Sequence, residues 1–282
     1  MARPSQLVLV VVVYVTGVLL AMWRGPGSIT GPLVGLALLL PTAVAVHWAN
    51  EASDAGTDAL TVRTRFSGGS GALARSNIEP RWLLRGSLLV AAGVATLAVA
   101  LAVTARVPVA SSILLVVGVA GGVAYSVAPV ALMRRGVGEP FNAILGALVL
   151  PLFGVATVTG RVEALDVLAF LPFTLVTFCS VMATAWPDRL ADGSTGKLTL
   201  QVRLEPSRLR AIHTASAVAW AVAVVVATWA GAMPFGLTLF AVLPFVLLGW
   251  KGYTRRAAAW PSVAAMVGHI LVMSMTLLVA LP

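Results

Sequence analysis

Nine apolar runs, each close to the thickness of a bilayer as a helix, constrain this chain more than any other feature. They cover Leu7–Trp23, Pro32–Trp48, Leu83–Val103, Ser112–Val127, Pro140–Thr159, Ala164–Trp186, Leu209–Ala230, Pro234–Trp250 and Pro261–Leu281. A membrane-crossing helix needs about 20 mostly apolar residues. Backbone polar groups in lipid must be satisfied internally, which leaves only helices or closed barrels. The runs lack the alternation of strands, so they predict helices. Charged residues make up 10% of the chain, against about 25% in a soluble domain. The expected fold is all-α: an integral membrane bundle of nine transmembrane helices, one domain over residues 1–282, with cytoplasmic Asp-rich loops. Small-residue stretches such as Gly118–Gly122 suit close helix approach in lipid. The first run has a basic start, but Trp23-Arg24-Gly25 offers no small-x-small cleavage site, so it is read as the first span.

Charge gives the orientation. With nine spans, one side holds the N-terminus and the loops after spans two, four, six and eight. That side carries 16 of the 19 cations; Arg24, Arg106 and Arg161 lie on the other. The rule that cationic loops stay inside places the rich side in the cytoplasm of a multi-pass cell-membrane protein. Cys179, the one cysteine, lies within the sixth span and is expected to be a small buried hydrophobe.

Eight of the ten acids fall on the same side as most of the cations, and they cluster. Asn50, Asp54 and Asp58 are spaced i, i+4, i+8, so they share a face if the second helix continues past the membrane edge. Asp188 and Asp192 repeat the i, i+4 spacing at the end of the sixth run. Like charges one turn apart repel by roughly 0.2–0.5 kcal/mol, and a cation between them removes that cost. Magnesium takes hard oxygen ligands, commonly one or two carboxylates with water and substrate phosphate. Two such pairs facing each other would hold magnesium and leave positions for a diphosphate. A solvated helix end is the plain alternative for either pair alone. Nearby cations suit phosphate: Arg63, Arg65 and Arg75 after the first cluster, and Lys197 in GSTGKLT after the second. Contact with anionic lipid heads is their alternative role. FSGGSG, Phe66–Gly71, is flexible enough to fold over a phosphate but lacks the Lys-Ser/Thr ending of a P-loop.

With these motifs in place, the chain resembles the UbiA superfamily of intramembrane prenyltransferases. The first family motif, Asn-Asp-x-x-Asp-x-x-x-Asp, is matched by Asn50-Glu51-Ala-Ser-Asp54-Ala-Gly-Thr-Asp58. The second, Asp-x-x-x-Asp, is matched by Asp188 and Asp192 within DRLADGSTGKLTLQVRL. YSVAP at Tyr125–Pro129 and Gly138-Glu139 are further landmarks. GTD…GGSG and GKLTL look closest to the menaquinone branch, which prenylates 1,4-dihydroxy-2-naphthoate. Glu51 departs from the usual Asp, Met133 stands where a Lys is common, and Trp186-Pro187 replace Asn and Arg.

The resemblance implies Mg2+ held by Asp54, Asp58, Asp188 and Asp192, with Asn50 assisting, and a polyprenyl diphosphate bound by Arg63, Arg65, Lys197 and Arg134. It implies that Tyr125 steadies an allylic cation, its alternative being an interfacial anchor. The implied partners are the diphosphate, an aromatic small-molecule acceptor and the lipid bilayer, with no nucleic acid. His47, one turn before Asn50, is expected beside the site; His213 and His269 are expected to be packed and hydrogen-bonded. Transfer to another lipid-pathway acceptor and a multi-pass transporter are the competing readings. A transporter would place ionisable groups near the bilayer midplane, where these spans hold almost none.

Overall fold

A computed structural model describes residues 4–61, 63, 66, 68–234 and 236–282. The helices are α1 (Pro4–Arg24), α2 (Thr30–Asp58), α3 (Pro80–Val103), α4 (Val109–Ser126), α5 (Gly138–Thr159) and α6 (Ala164–Ala185), then the short α7 (Arg189–Ser194) and α8 (Leu200–Arg203), then α9 (Pro206–Trp229), α10 (Leu237–Gly252) and α11 (Trp260–Val279). Among the described residues no strand occurs. Eight of these helices, all but α7, α8 and α10, are long and apolar enough to cross a membrane. The eighth predicted run yields α10, of 16 residues. That length spans about 24 Å, short of the roughly 30 Å of a hydrocarbon core. Its start falls at Leu237, after Gly236, rather than at Pro234.

Helix α2 runs unbroken for 29 residues, from the apolar run through the first acidic motif. Helix α6 instead ends at Ala185, and Trp186-Pro187-Asp188 form a turn before α7. Proline has no N–H to donate and its ring crowds the preceding turn, so the chain breaks there. Helix α5 carries a π-helical stretch at Leu145–Val149, a wider turn often found at functional sites.

Close backbone contact organises the centre of the bundle. A Cβ at Gly17 would overlap the Pro151 carbonyl, and one at Gly154 would overlap the Tyr14 carbonyl. Glycines there let α1 lie directly on α5, as small residues do in lipid-embedded bundles. The buried Tyr14 hydroxyl donates to the Pro32 carbonyl at 2.8 Å, tying α1 to α2. At the opposite end from the acidic motifs, Arg24 pairs with the buried Asp166 and donates to the Ala232 carbonyl at 2.8 Å. Asp166 also caps α6 by accepting from the Glu163 N–H at 2.7 Å.

Candidate functional site

The C-terminal ends of α2, α4 and α6 and the N-terminal end of α5 meet at one end of the bundle around a polar cavity of about 240 Å³. Asn50, Asp54 and Asp58 line it from α2, as their common face requires, and Asp188 and Asp192 line it from the α6–α7 junction. The α6–α7 break keeps the second pair in register, because the Asp192 N–H donates to the Asp188 carbonyl at 2.9 Å. Thr57 and Thr195 hydroxyls lie 3.0 Å apart and join the two motifs.

Lys197 stands between the motifs. Its ammonium is 2.9 Å from Asp54 Oδ1 and 3.5 Å from Asp192 Oδ1, and all three side chains are largely buried. Burial works against the lysine charge, but Asp54 and Asp192 outweigh it and hold the ammonium above the usual lysine value. Burial pushes the Asp192 carboxyl above the usual carboxylate range, with Lys197 opposing. Carboxylates so placed are stabilised either by protonation or by a nearby cation. Among the described residues no three His, Cys, Asp or Glu side chains form a ready metal cage. The donor set fits a hard divalent ion that takes one or two carboxylates and completes its shell from water and phosphate.

The other sequence candidates divide. Tyr125 lines the cavity. Arg134 donates to the Ser53 carbonyl at 3.2 Å and lies 3.4 Å from the Thr195 carbonyl. It bridges the motifs from outside the cavity, whose wall carries Met133 instead. Arg63 donates to the Ser70 carbonyl. Arg65 lies outside the described residues. His47 lines the cavity as expected. His269 is buried and accepts from Trp220 Nε1 at 3.2 Å. His213 is also buried and stacks on Tyr253 at 4.7 Å between ring centroids, but neither ring nitrogen has a hydrogen-bond partner, unlike the expectation. Cys179 is buried, as a small hydrophobe would be.

Three contributors had no role assigned from sequence. Glu51 is buried and accepts from both the N–H and the hydroxyl of Ser70, the N–H at 3.2 Å. That contact holds Ser70 against α2, and Phe66, Gly68 and Gly69 line the cavity. Gly69 has φ +64°, a conformation that favours glycine, and a Cβ there would displace the Asp58 carboxylate. Glu139 is buried; its Oε1 accepts from the Leu200 N–H at 2.8 Å, fixing α8 on α5. Asn142, one turn further on, also lines the cavity. A polar residue inside an apolar run was the available signal for Asn142.

A second cavity, about 360 Å³ and mostly apolar, adjoins the first; Gln6, His47, Asn50, Tyr125 and Asn142 line both. A site with an acidic, cation-demanding head chamber and an apolar chamber behind it defines an intramembrane protein that handles an amphipathic molecule. The chain belongs to the UbiA prenyltransferase family, whose model matches residues 9–278. It is an enzyme, a multi-pass membrane prenyltransferase, and membership implies transfer of a prenyl group to an aromatic or lipid acceptor. The transporter alternative is set aside. A search of curated proteins gives no match.

Proposed function

We propose that this enzyme transfers a polyprenyl group from a polyprenyl diphosphate to 1,4-dihydroxy-2-naphthoate in menaquinone biosynthesis, with magnesium, at the cytoplasmic face. The observation that carries the proposal is the junction of the two cavities. Both acidic motifs line the polar one, and Tyr125 and Asn50 stand where it meets the apolar one. A diphosphate head and an isoprenoid tail fit that division.

Asp54, Asp58, Asp188 and Asp192 would hold magnesium, with Asn50 assisting. Bound there, the ion supplies positive charge against the departing diphosphate. Lys197 sits between the motifs with its ammonium charged and would donate to diphosphate oxygens. Arg63, Arg65 and Arg134 would add positive potential around the head chamber. The bond between the allylic carbon and the diphosphate oxygen breaks, and its electron pair leaves with the diphosphate. An electron-rich ring carbon bonds to the allylic cation, and that carbon restores aromaticity by losing the group it carried, its proton or, at the carboxylated position of 1,4-dihydroxy-2-naphthoate, carbon dioxide. Tyr125 presents a ring at the chamber junction, and a cation over an aromatic face gains about 0.5–2 kcal/mol. The apolar walls keep water from the cation.

The acceptor is tested with purified protein, magnesium and farnesyl or geranylgeranyl diphosphate offered a panel of aromatic acceptors. Mass spectrometry should find a prenylated product with 1,4-dihydroxy-2-naphthoate in excess over 4-hydroxybenzoate. Product only with other acceptors would overturn the branch assignment.

A further inference from the structure

The apolar cavity has a floor, and the floor bears on how long a chain the enzyme takes. The inference rests on the prenyl-donor reading above. Along α2 the cavity is lined from Asn50 at the chamber junction to Leu39 at its deep end. Eleven residues of helix rise about 16 Å. An extended peptide residue advances about 3.3–3.6 Å over three backbone bonds, so a four-bond isoprene unit advances about 4.5–5 Å. Three units therefore reach from the junction to the floor.

The floor is made of Leu39, Leu115 and Phe153, each at most 5% exposed. Beyond it lies a slot of about 10 Å³, too small for an isoprene unit. Leu115 and Phe153 line both the cavity and the slot, so these two side chains form the partition. Tyr14 backs the partition, its ring centroid 5.3 Å from that of Phe153. Partway up, the channel is kept open by absence of side chain. Gly118 and Gly146 both line it, and a Cβ at either would meet nothing within 4 Å. Gly118 lies seven residues from Tyr125 on α4, about 10 Å from the junction, or two isoprene units down.

We propose that Phe153, with Leu115, gauges the prenyl chain, that the cavity is matched to three isoprene units, and that Gly118 holds open the passage to the third. The gauge sets specificity and takes no part in bond breaking.

Binding tests this without needing an acceptor. Purified protein in detergent with magnesium is titrated with geranyl, farnesyl and geranylgeranyl diphosphates against a labelled farnesyl diphosphate. The wild type should bind farnesyl roughly tenfold or more tighter than geranyl diphosphate, and geranylgeranyl within about threefold of farnesyl, because the fourth unit finds no further apolar surface to bury. Phe153→Ala joins the cavity to the slot and should restore a gain for the fourth unit. Because that change opens a core position, Gly118→Leu is the second arm: leucine favours the helix over glycine and fills the channel. It should leave geranyl binding near wild type and erase the farnesyl advantage. Affinity that climbs undiminished through the fourth unit in the wild type, or an unchanged chain preference in Gly118→Leu, would overturn the gauge, because the tail then leaves sideways into lipid. A wild type that binds none of the three would remove the prenyl-donor reading itself.

Discussion

Lys197 offers the sharpest perturbation of the head chamber. At an effective dielectric of 20, its distances to Asp54 and Asp192, 2.9 and 3.5 Å, correspond to gross attractions of about 6 and about 5 kcal/mol. Desolvation of the buried groups offsets much of this, and removing one partner of a buried ion pair costs about 3–5 kcal/mol net. Lys197→Met should therefore destabilise the protein by about 3–5 kcal/mol in EDTA, because two carboxylates lose the cation between them. A divalent ion can take over that role. At about a hundred times its Kd it returns about 2.7 kcal/mol, and it should stabilise the variant more than the wild type, where the ammonium already competes for the carboxylates. The assay is denaturant unfolding in mixed micelles, followed by tryptophan fluorescence, with EDTA or with millimolar magnesium. If the variant in EDTA matches the wild type, or magnesium stabilises both equally, the reasoning is refuted: the acids would not then form one cation-demanding set.

Further predictions concern the rest of the molecule. Asp54→Asn and Asp188→Asn should each lower transfer per folded molecule by about a hundredfold or more; Asp54→Asn should also lower the unfolding midpoint, because it takes the nearer partner from buried Lys197, whereas Asp188→Asn should leave it near wild type, checked by product formation and melting on the same preparations. Glu51→Gln removes a charged acceptor of the two Ser70 hydrogen bonds; worth about 1.5–3 kcal/mol, the loss should raise KM for the diphosphate about tenfold and leave kcat less affected, read from steady-state kinetics. Arg24→Met strands the buried Asp166 at the far end; it should cost about 3–5 kcal/mol of stability yet leave turnover per folded molecule unchanged.

Local pattern carried the helices. The i, i+4, i+8 spacing of Asn50, Asp54 and Asp58 places them on one face, and α2 continues through Asp58 as that spacing needs. What needed coordinates was every contact between distant segments. Arg134 reads as a phosphate ligand in sequence but hydrogen-bonds Ser53, 81 residues away. Glu51 reads as a lengthened Asp, and its partner Ser70 lies across a loop that no periodicity describes. Lys197 stands between the motifs after the turn at Trp186–Asp188 and the short helix α7, a placement that no spacing in the sequence gives. The floor at Phe153 is invisible in sequence because one buried phenylalanine in an apolar run looks like any other.

In the proposed reaction the two acidic motifs bind one diphosphate through a divalent ion for prenyl transfer. This is tested most directly by incubating purified enzyme with labelled geranylgeranyl diphosphate and 1,4-dihydroxy-2-naphthoate, with magnesium or with EDTA, in the wild type and in Asp54→Asn. A prenylated product is expected with magnesium in the wild type alone. Equal product in EDTA or in Asp54→Asn would contradict it.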